Sequence, residues 1–188
     1  GVLYCKRDNG KYSLWLYPVA KKDESFIIST NVKNVSKYAV SGNPYIREIT
    51  IAGNDFEMNT LYALRNLSSL ERITLQGTYK YVSSNFVSSC ENLTELYLNA
   101  DLPNSSSLFS GCDNLAQIYI GADVTKVYGT LFGNIGASFH VDERNENYTS
   151  DDGVLFSKGS KKILVKYPSA KEDLSYTVPE DTEEILED

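Results

Sequence analysis

Apolar and polar residues alternate along this chain in short runs that return at a nearly constant interval. Arg47-Glu48-Ile49-Thr50-Ile51, Glu71-Arg72-Ile73-Thr74-Leu75, Thr94-Glu95-Leu96-Tyr97-Leu98, Ala116-Gln117-Ile118-Tyr119-Ile120 and Ala137-Ser138-Phe139-His140-Val141 share one pattern. Their first residues stand at 47, 71, 94, 116 and 137, so the steps are 24, 23, 22 and 21. Alternation with a period of two marks a half-buried strand. A strand this short cannot bury its face alone, but stacked coils bury a continuous one. The pattern therefore predicts parallel strands piled in register. Ile49/Ile51, Ile73/Leu75, Leu96/Leu98, Ile118/Ile120 and Phe139/Val141 point inward, and Thr50, Thr74, Tyr97, Tyr119 and His140 point outward.

The stretch before each strand repeats too. Val40-Ser41-Gly42-Asn43, Phe86 to Cys90, Phe109-Ser110-Gly111-Cys112 and Phe132-Gly133-Asn134 each give a large apolar residue, small residues, then Asn or Cys. Asn43, Cys90, Cys112 and Asn134 precede by three residues the apolar positions Ile46, Leu93, Leu115 and Ala137. A buried Asn there can bond the turn backbone of neighbouring coils, which otherwise holds costly orphaned groups. Cys is a small buried substitute. At the equivalent place the coil ending at Leu67 has Leu, with Asn66 beside it.

A longer element occurs twice. Gly1-Val2-Leu3-Tyr4 returns as Gly153-Val154-Leu155-Phe156, Leu16-Tyr17-Pro18 as Lys166-Tyr167-Pro168, and Phe26-Ile27-Ile28 as Tyr176-Thr177-Val178. Asp8-Asn9-Gly10 is a strong hairpin-turn signal, so Val2–Lys6 and Ser13–Tyr17 form its arms. In the second copy Val154–Ser157 pairs with Lys162–Tyr167 through Lys158-Gly159-Ser160-Lys161. The Tyr-Pro pairs close both hairpins, because Pro cannot continue a central ladder.

These residues resemble the BspA-like leucine-rich repeat proteins. The carrying motifs are Phe109-Ser110-Gly111-Cys112-Asp113-Asn114-Leu115, Phe86 through Leu93, and Asn147-Tyr148-Thr149-Ser150-Asp151-Asp152-Gly153-Val154-Leu155-Phe156. The last is followed by Ile163 to Pro168 and Val178-Pro179. The repeat step also lies in the roughly 20–29-residue leucine-rich range. Residues 52–69 depart by lacking the expected Phe and Cys, and Gly133-Asn134-Ile135-Gly136 shortens its turn. The fold class expected is a leucine-rich repeat solenoid of stacked parallel strands with two β-hairpin insertions. It forms a single domain over 1–188: hairpin module and first coil at 1–45, regular coils at 46–136, second hairpin module and the start of another coil at 137–188. The chain begins inside one module and stops where a coil is starting, as a fragment of a longer protein would. The resemblance implies a bacterial surface or secreted protein implicated in adhesion, located outside the cell or on its surface.

Composition narrows the function. The chain has 188 residues, 41% hydrophobic and 23% charged, which places it among globular chains. Eighteen Lys+Arg against 25 Asp+Glu leave a net charge of −7, contrary to the basic surface that nucleic acid needs. No apolar run approaches the roughly 20 residues of a membrane span. One His and three Cys offer little for triad or metal chemistry, and no Gly-x-Ser-x-Gly elbow accompanies His140. No cofactor or metal is expected, the chain is not expected to be an enzyme, and a monomer is expected.

In stacked coils about 4.8 Å apart, equivalent positions form rows. Thr50–Thr74–Tyr97–Tyr119–His140 is one, and Glu48–Arg72–Glu95–Gln117–Ser138 runs beside it. Solenoids bind partners on such faces, and Tyr supplies apolar area with a polar tip. The candidate binding residues are thus Thr50, Thr74, Tyr97, Tyr119, His140, Glu48, Arg72 and Glu95, facing a host or microbial protein or glycan. Cross-strand Thr and Tyr pairs also stabilise sheets by roughly 0.2–1 kcal/mol each without any ligand. In that case the molecule is a stiff spacer. Glu48 and Glu95 with Arg72 between them read as charge balance rather than a pair of catalytic carboxylates.

Cys90 and Cys112 fall at equivalent positions within disulfide range, and either buried thiols or a bridge is compatible with that. Asp142-Glu143, Glu146 and Asp151-Asp152 match no calcium loop and read as a solvated turn. The acidic end from Glu180 to Asp188 is likewise solvated. Asn34, Asn66, Asn92, Asn104 and Asn147 open Asn-x-Ser/Thr triplets, which an Asn- and Ser-rich repeat produces by chance.

Overall fold

The alternating runs fold into the rungs of one long sheet. In the computed structural model, residues 1–103 and 107–186 are described. Asn104, Glu187 and Asp188 of the sequence reading lie outside them. The strands in chain order are β1 (Leu3–Lys6), β2 (Tyr12–Leu16), β3 (Ser25–Ile28), β4 (Val32–Val35), β5 (Val40–Ser41) and β6 (Glu48–Met58). Then come β7 (Leu64–Arg65), β8 (Arg72–Val82), β9 (Val87–Ser88), β10 (Glu95–Asn99), β11 (Phe109–Ser110) and β12 (Gln117–Ile120). The last are β13 (Ser138–Val141), β14 (Tyr148–Asp151), β15 (Val154–Ser157), β16 (Lys162–Lys166) and β17 (Thr182–Ile185). Among the described residues the one helical element is a 3-10 turn, Gly129–Leu131.

The main sheet runs β1-β2-β4-β6-β8-β10-β12-β13, with β3 also on β6. From β6 to β13 every pairing is parallel and in the predicted register: Thr50 opposite Thr74, Thr74 opposite Tyr97, Tyr97 opposite Tyr119, Tyr119 opposite His140. A second sheet, β11-β9-β7-β5, is made of two-residue strands on the opposite side of each coil. Val40, Leu64, Val87 and Phe109 from it meet Ile49, Ile73, Leu96 and Ile118 in one buried cluster. The architecture is a β-solenoid, as the period requires. Val141 alone of the inward set is only half-buried.

Asn43 behaves as the sequence suggests. It is fully buried, and its Nδ2 donates to the carbonyls of Pro18, Val19 and Lys21 at 3.1, 3.1 and 2.8 Å. Its Oδ1 accepts from the Tyr45 and Ile46 amides at 2.8 and 3.0 Å. Asn134, aligned with it in sequence, is instead exposed. The shortened Gly133–Gly136 turn leaves it outside the core. The role passes to Asn145, which bonds the Gly121 and Val124 carbonyls and the Asn147 and Tyr148 amides.

Three features exceed the sequence reading. Strands β6 and β8 run for 11 residues each, past a bulge between Gly53 and Phe56. Gly53 faces Gly77 there so closely that a Cβ on Gly77 would stand 2.1 Å from the Gly53 carbonyl oxygen. Strand β14 pairs antiparallel with β15 through a tight turn whose Asp152 and Gly153 both have positive φ, 48° and 78°, the hairpin signature. Finally, β3 pairs parallel with the first part of β6, placing Ile27 opposite Thr50.

Candidate interaction face

The outward residues of β3, β6, β8, β10, β12 and β13 make two adjoining rows across the main sheet. In the first, Thr50 and Thr74 are half-buried and lead up to the aromatic end, Thr74 lying directly opposite Tyr97, which meets Tyr119 and then His140. The Tyr97 and Tyr119 rings stack at 4.5 Å between centroids and 12° between planes. Tyr119 and His140 follow at 5.0 Å and 25°. Rings stacked along a row turn their faces to one another and their edges and polar tips outward. Burial against these neighbours, reinforced by the Glu95 carboxylate, raises the Tyr97 phenol above its ordinary pKa, so it remains a neutral donor near pH 7.

Arg72 ties the second row to the first. Its guanidinium donates to Glu48 at 2.8 Å and to Glu95 at 2.7 Å, and its Cζ lies 5.3 Å from the Tyr97 centroid. Those two carboxylates keep the Arg72 pKa above its usual value. Glu48 and Glu95 share this one cation, which offsets one of their two charges and leaves the triplet at −1, an arrangement unlike facing catalytic carboxylates. His140 Nε2 contacts the Gln117 side-chain amide, so the second row also supports the stack at its far end. All eight candidate residues lie on this face, with Thr50 at the edge farthest from His140.

Sequence reasoning missed three contributors. Ile27 is 64% exposed at the head of the first row; the uninterrupted apolar run Phe26-Ile27-Ile28 carries no alternation that marks it as outward. Asn99 and Asp142 line a shallow depression with Tyr97, Tyr119, Gly121 and His140. Arg144 bonds the Asp142 carboxylate through its side chain and amide, holding that group down at a pKa of about 2. Among the described residues no three His, Cys, Asp or Glu side chains converge to hold a metal ion. Cys90 and Cys112 stand as buried thiols, each aimed at a backbone carbonyl two residues back. Among the same residues no helix is long and apolar enough to cross a membrane.

Comparison with known proteins agrees with this geometry. A family model described as the BspA type leucine rich repeat region matches residues 20–137 in 6 copies. Among solved structures, a leucine rich cell surface protein of Faecalibacterium prausnitzii is similar at 20% identity and a TM-score of 0.50, over 75% of this chain and 38% of that one. The pneumococcal vaccine antigen PcpA is similar at 24% identity and a TM-score of 0.50, over 92% of this chain and 44% of that one. This chain thus spans less than half the length of either structure. No curated protein matches it significantly. The repeat model covers most of the chain, and the chain belongs to the BspA-type leucine-rich repeat family.

Proposed function

We propose that this chain is a non-enzymatic interaction module of the cell surface or extracellular space, which presents its main-sheet face to a partner protein or glycan in adhesion. The observation that carries this reading is the Tyr97–Tyr119–His140 stack with Arg72 set against its first ring. Tyrosine and arginine dominate the energetic centres of protein interfaces, because they bring large contact area and directed polar groups at low entropy cost. An open sheet face suits many modest contacts spread over an extended partner rather than one enclosed ligand. The family and the surface-protein relatives of the same fold favour a protein-interaction role.

A second reading is a rigid spacer without its own ligand. The internally paired Glu48–Arg72–Glu95 triplet and the Thr50–Thr74 pair favour it, since both stabilise a sheet by themselves. Screening the purified chain on arrays of matrix proteins and glycans, with Tyr97→Ser/Tyr119→Ser alongside, separates the two. The interaction reading predicts a hit that weakens at least about tenfold in the double variant while its circular dichroism is unchanged. A hit retained in full by the folded variant would remove this face from the function.

A further inference from the structure

A second aromatic and charged cluster lies on the turn side of the coils, away from the main sheet. Tyr38 and Tyr62 occupy equivalent positions, each two residues before a short strand of the second sheet. Their rings stack at 6.3 Å and 12°. Two cations converge on the pair. Lys37 Nζ is 4.9 and 5.9 Å from the two centroids, and Arg65 Cζ is 5.6 and 5.5 Å away. All four distances fall within the about 6 Å reach of a cation–π contact.

Neither cation has a carboxylate partner among the described residues, and the Arg65 Nε is buried without any acceptor. The local sequence explains why. Residues 25–46, 58–70 and 76–90 contain Lys33, Lys37, Arg65 and Lys80 but no Asp or Glu, in a chain of net charge −7. A buried N–H lacking an acceptor is costly, and although Arg65 as a whole is half-buried, its Nε is left unmet within the cluster.

The backbone adds an independent sign. Tyr38 and Tyr62 are held at φ 61° and 57°, in the left-handed region. L residues other than Asn and Asp are disfavoured there. The next coil shows the cheaper solution, with Asn85 at φ 56° donating its amide to Ser107 as Tyr38 donates to Tyr62 and Tyr62 to Asn85. Tyrosine at 38 and 62 thus answers a need that the backbone does not set.

We propose that Lys37, Tyr38, Tyr62 and Arg65 form a second binding site, for an acidic polypeptide segment. Its carboxylates accept from Arg65 and Lys37, and its side-chain stems lie against the tyrosine rings. A peptide fits better than a long polyanionic glycan because the positive charge is local. Lys33 is taken up by the Asp55 carbonyl at 2.5 Å and by Glu57 at 4.0 Å, while Lys80 lies over Tyr81, so no cationic track extends from the pair. This site shares no residue with the main-sheet face and does not depend on it.

Biolayer interferometry over immobilised short poly-L-glutamate, with heparin and poly-L-glutamine as comparisons, tests the proposal. The chain is expected to bind poly-L-glutamate at low salt, to lose it as sodium chloride is added, and to ignore poly-L-glutamine. Lys37→Ser/Arg65→Ser should weaken binding at least about tenfold. Tyr38→Asn/Tyr62→Asn should weaken it as well while keeping or raising the melting temperature, since Asn relieves the left-handed strain. Tyr97→Ser/Tyr119→Ser should bind as the native chain does. Absence of poly-L-glutamate binding, binding undiminished in the Lys37/Arg65 variant, or a preference for heparin would overturn it.

Discussion

Asn43 concentrates five backbone contacts in one buried side chain, joining the turn of its own coil to the turn that follows Tyr17. Asn43→Ala would orphan these carbonyls and amides together, costing about 3 kcal/mol in chemical denaturation. Asn134→Ala, at an exposed site that aligns with Asn43 in sequence, should change stability by less than about 0.5 kcal/mol. Equal effects would contradict the assignment of the buried role to Asn145. Tyr17 beside that turn makes a second test. Burial, then the Asp23 carboxylate that accepts its hydroxyl, pushes the Tyr17 phenol up to about 12. A folded-state pKa above the unfolded value of about 10 gives stability that is present below pH 10 and lost as pH rises through 12. Denaturation midpoints should therefore fall across that alkaline window, and Tyr17→Phe should flatten part of the fall.

At the scale of elements, the five alternating runs were legible because each carries two inward apolar residues around one outward polar one. The two-residue strands of the second sheet were not legible, since Leu64-Arg65 or Val87-Ser88 is too short to show any period. Tyr62 and Arg65 were hidden for the same reason: nothing in their stretch separates a loop from a ring-stacking turn. Strand β14 escaped because Tyr148-Thr149-Ser150-Asp151 is half-buried over its first three residues and exposed at Asp151, with no alternation. Gly53 and Gly77 let β6 and β8 pass close enough to continue into Phe56 and Tyr79. Gly77→Ala would need a Cβ 2.1 Å from a backbone oxygen at φ +89°, and should cost more than about 2 kcal/mol. Gly10→Ala, at φ +75° in open space, should cost only the left-handed penalty of about 1 kcal/mol. Similar losses at the two sites would mean that β6 and β8 do not approach as described.

Across the whole molecule, one apolar cluster runs from Leu14 to Phe139 and reaches Leu155 and Val165 of the second hairpin, while Val154, Phe156 and Leu164 form a smaller cluster at that end. Both exposed faces, the Tyr97–Tyr119–His140 row and the Tyr38–Tyr62 pair, exist only because positions one repeat apart become neighbours. The ordering of coils was legible from the repeat step alone. What each face meets was not, because exposed residues answer to a partner rather than to the core. Register is therefore the claim on which the rest stands, and paired cysteines test it most directly. In a Cys5→Ser background, Thr50→Cys/Thr74→Cys should close a disulfide under mild oxidation of the folded chain, because these positions are direct partners. Thr50→Cys/Gln76→Cys, two residues out of register on the same face, should stay open, its Cα separation exceeding the reach of about 7 Å. Closure of the second pair in place of the first would contradict the stacking and both faces built on it.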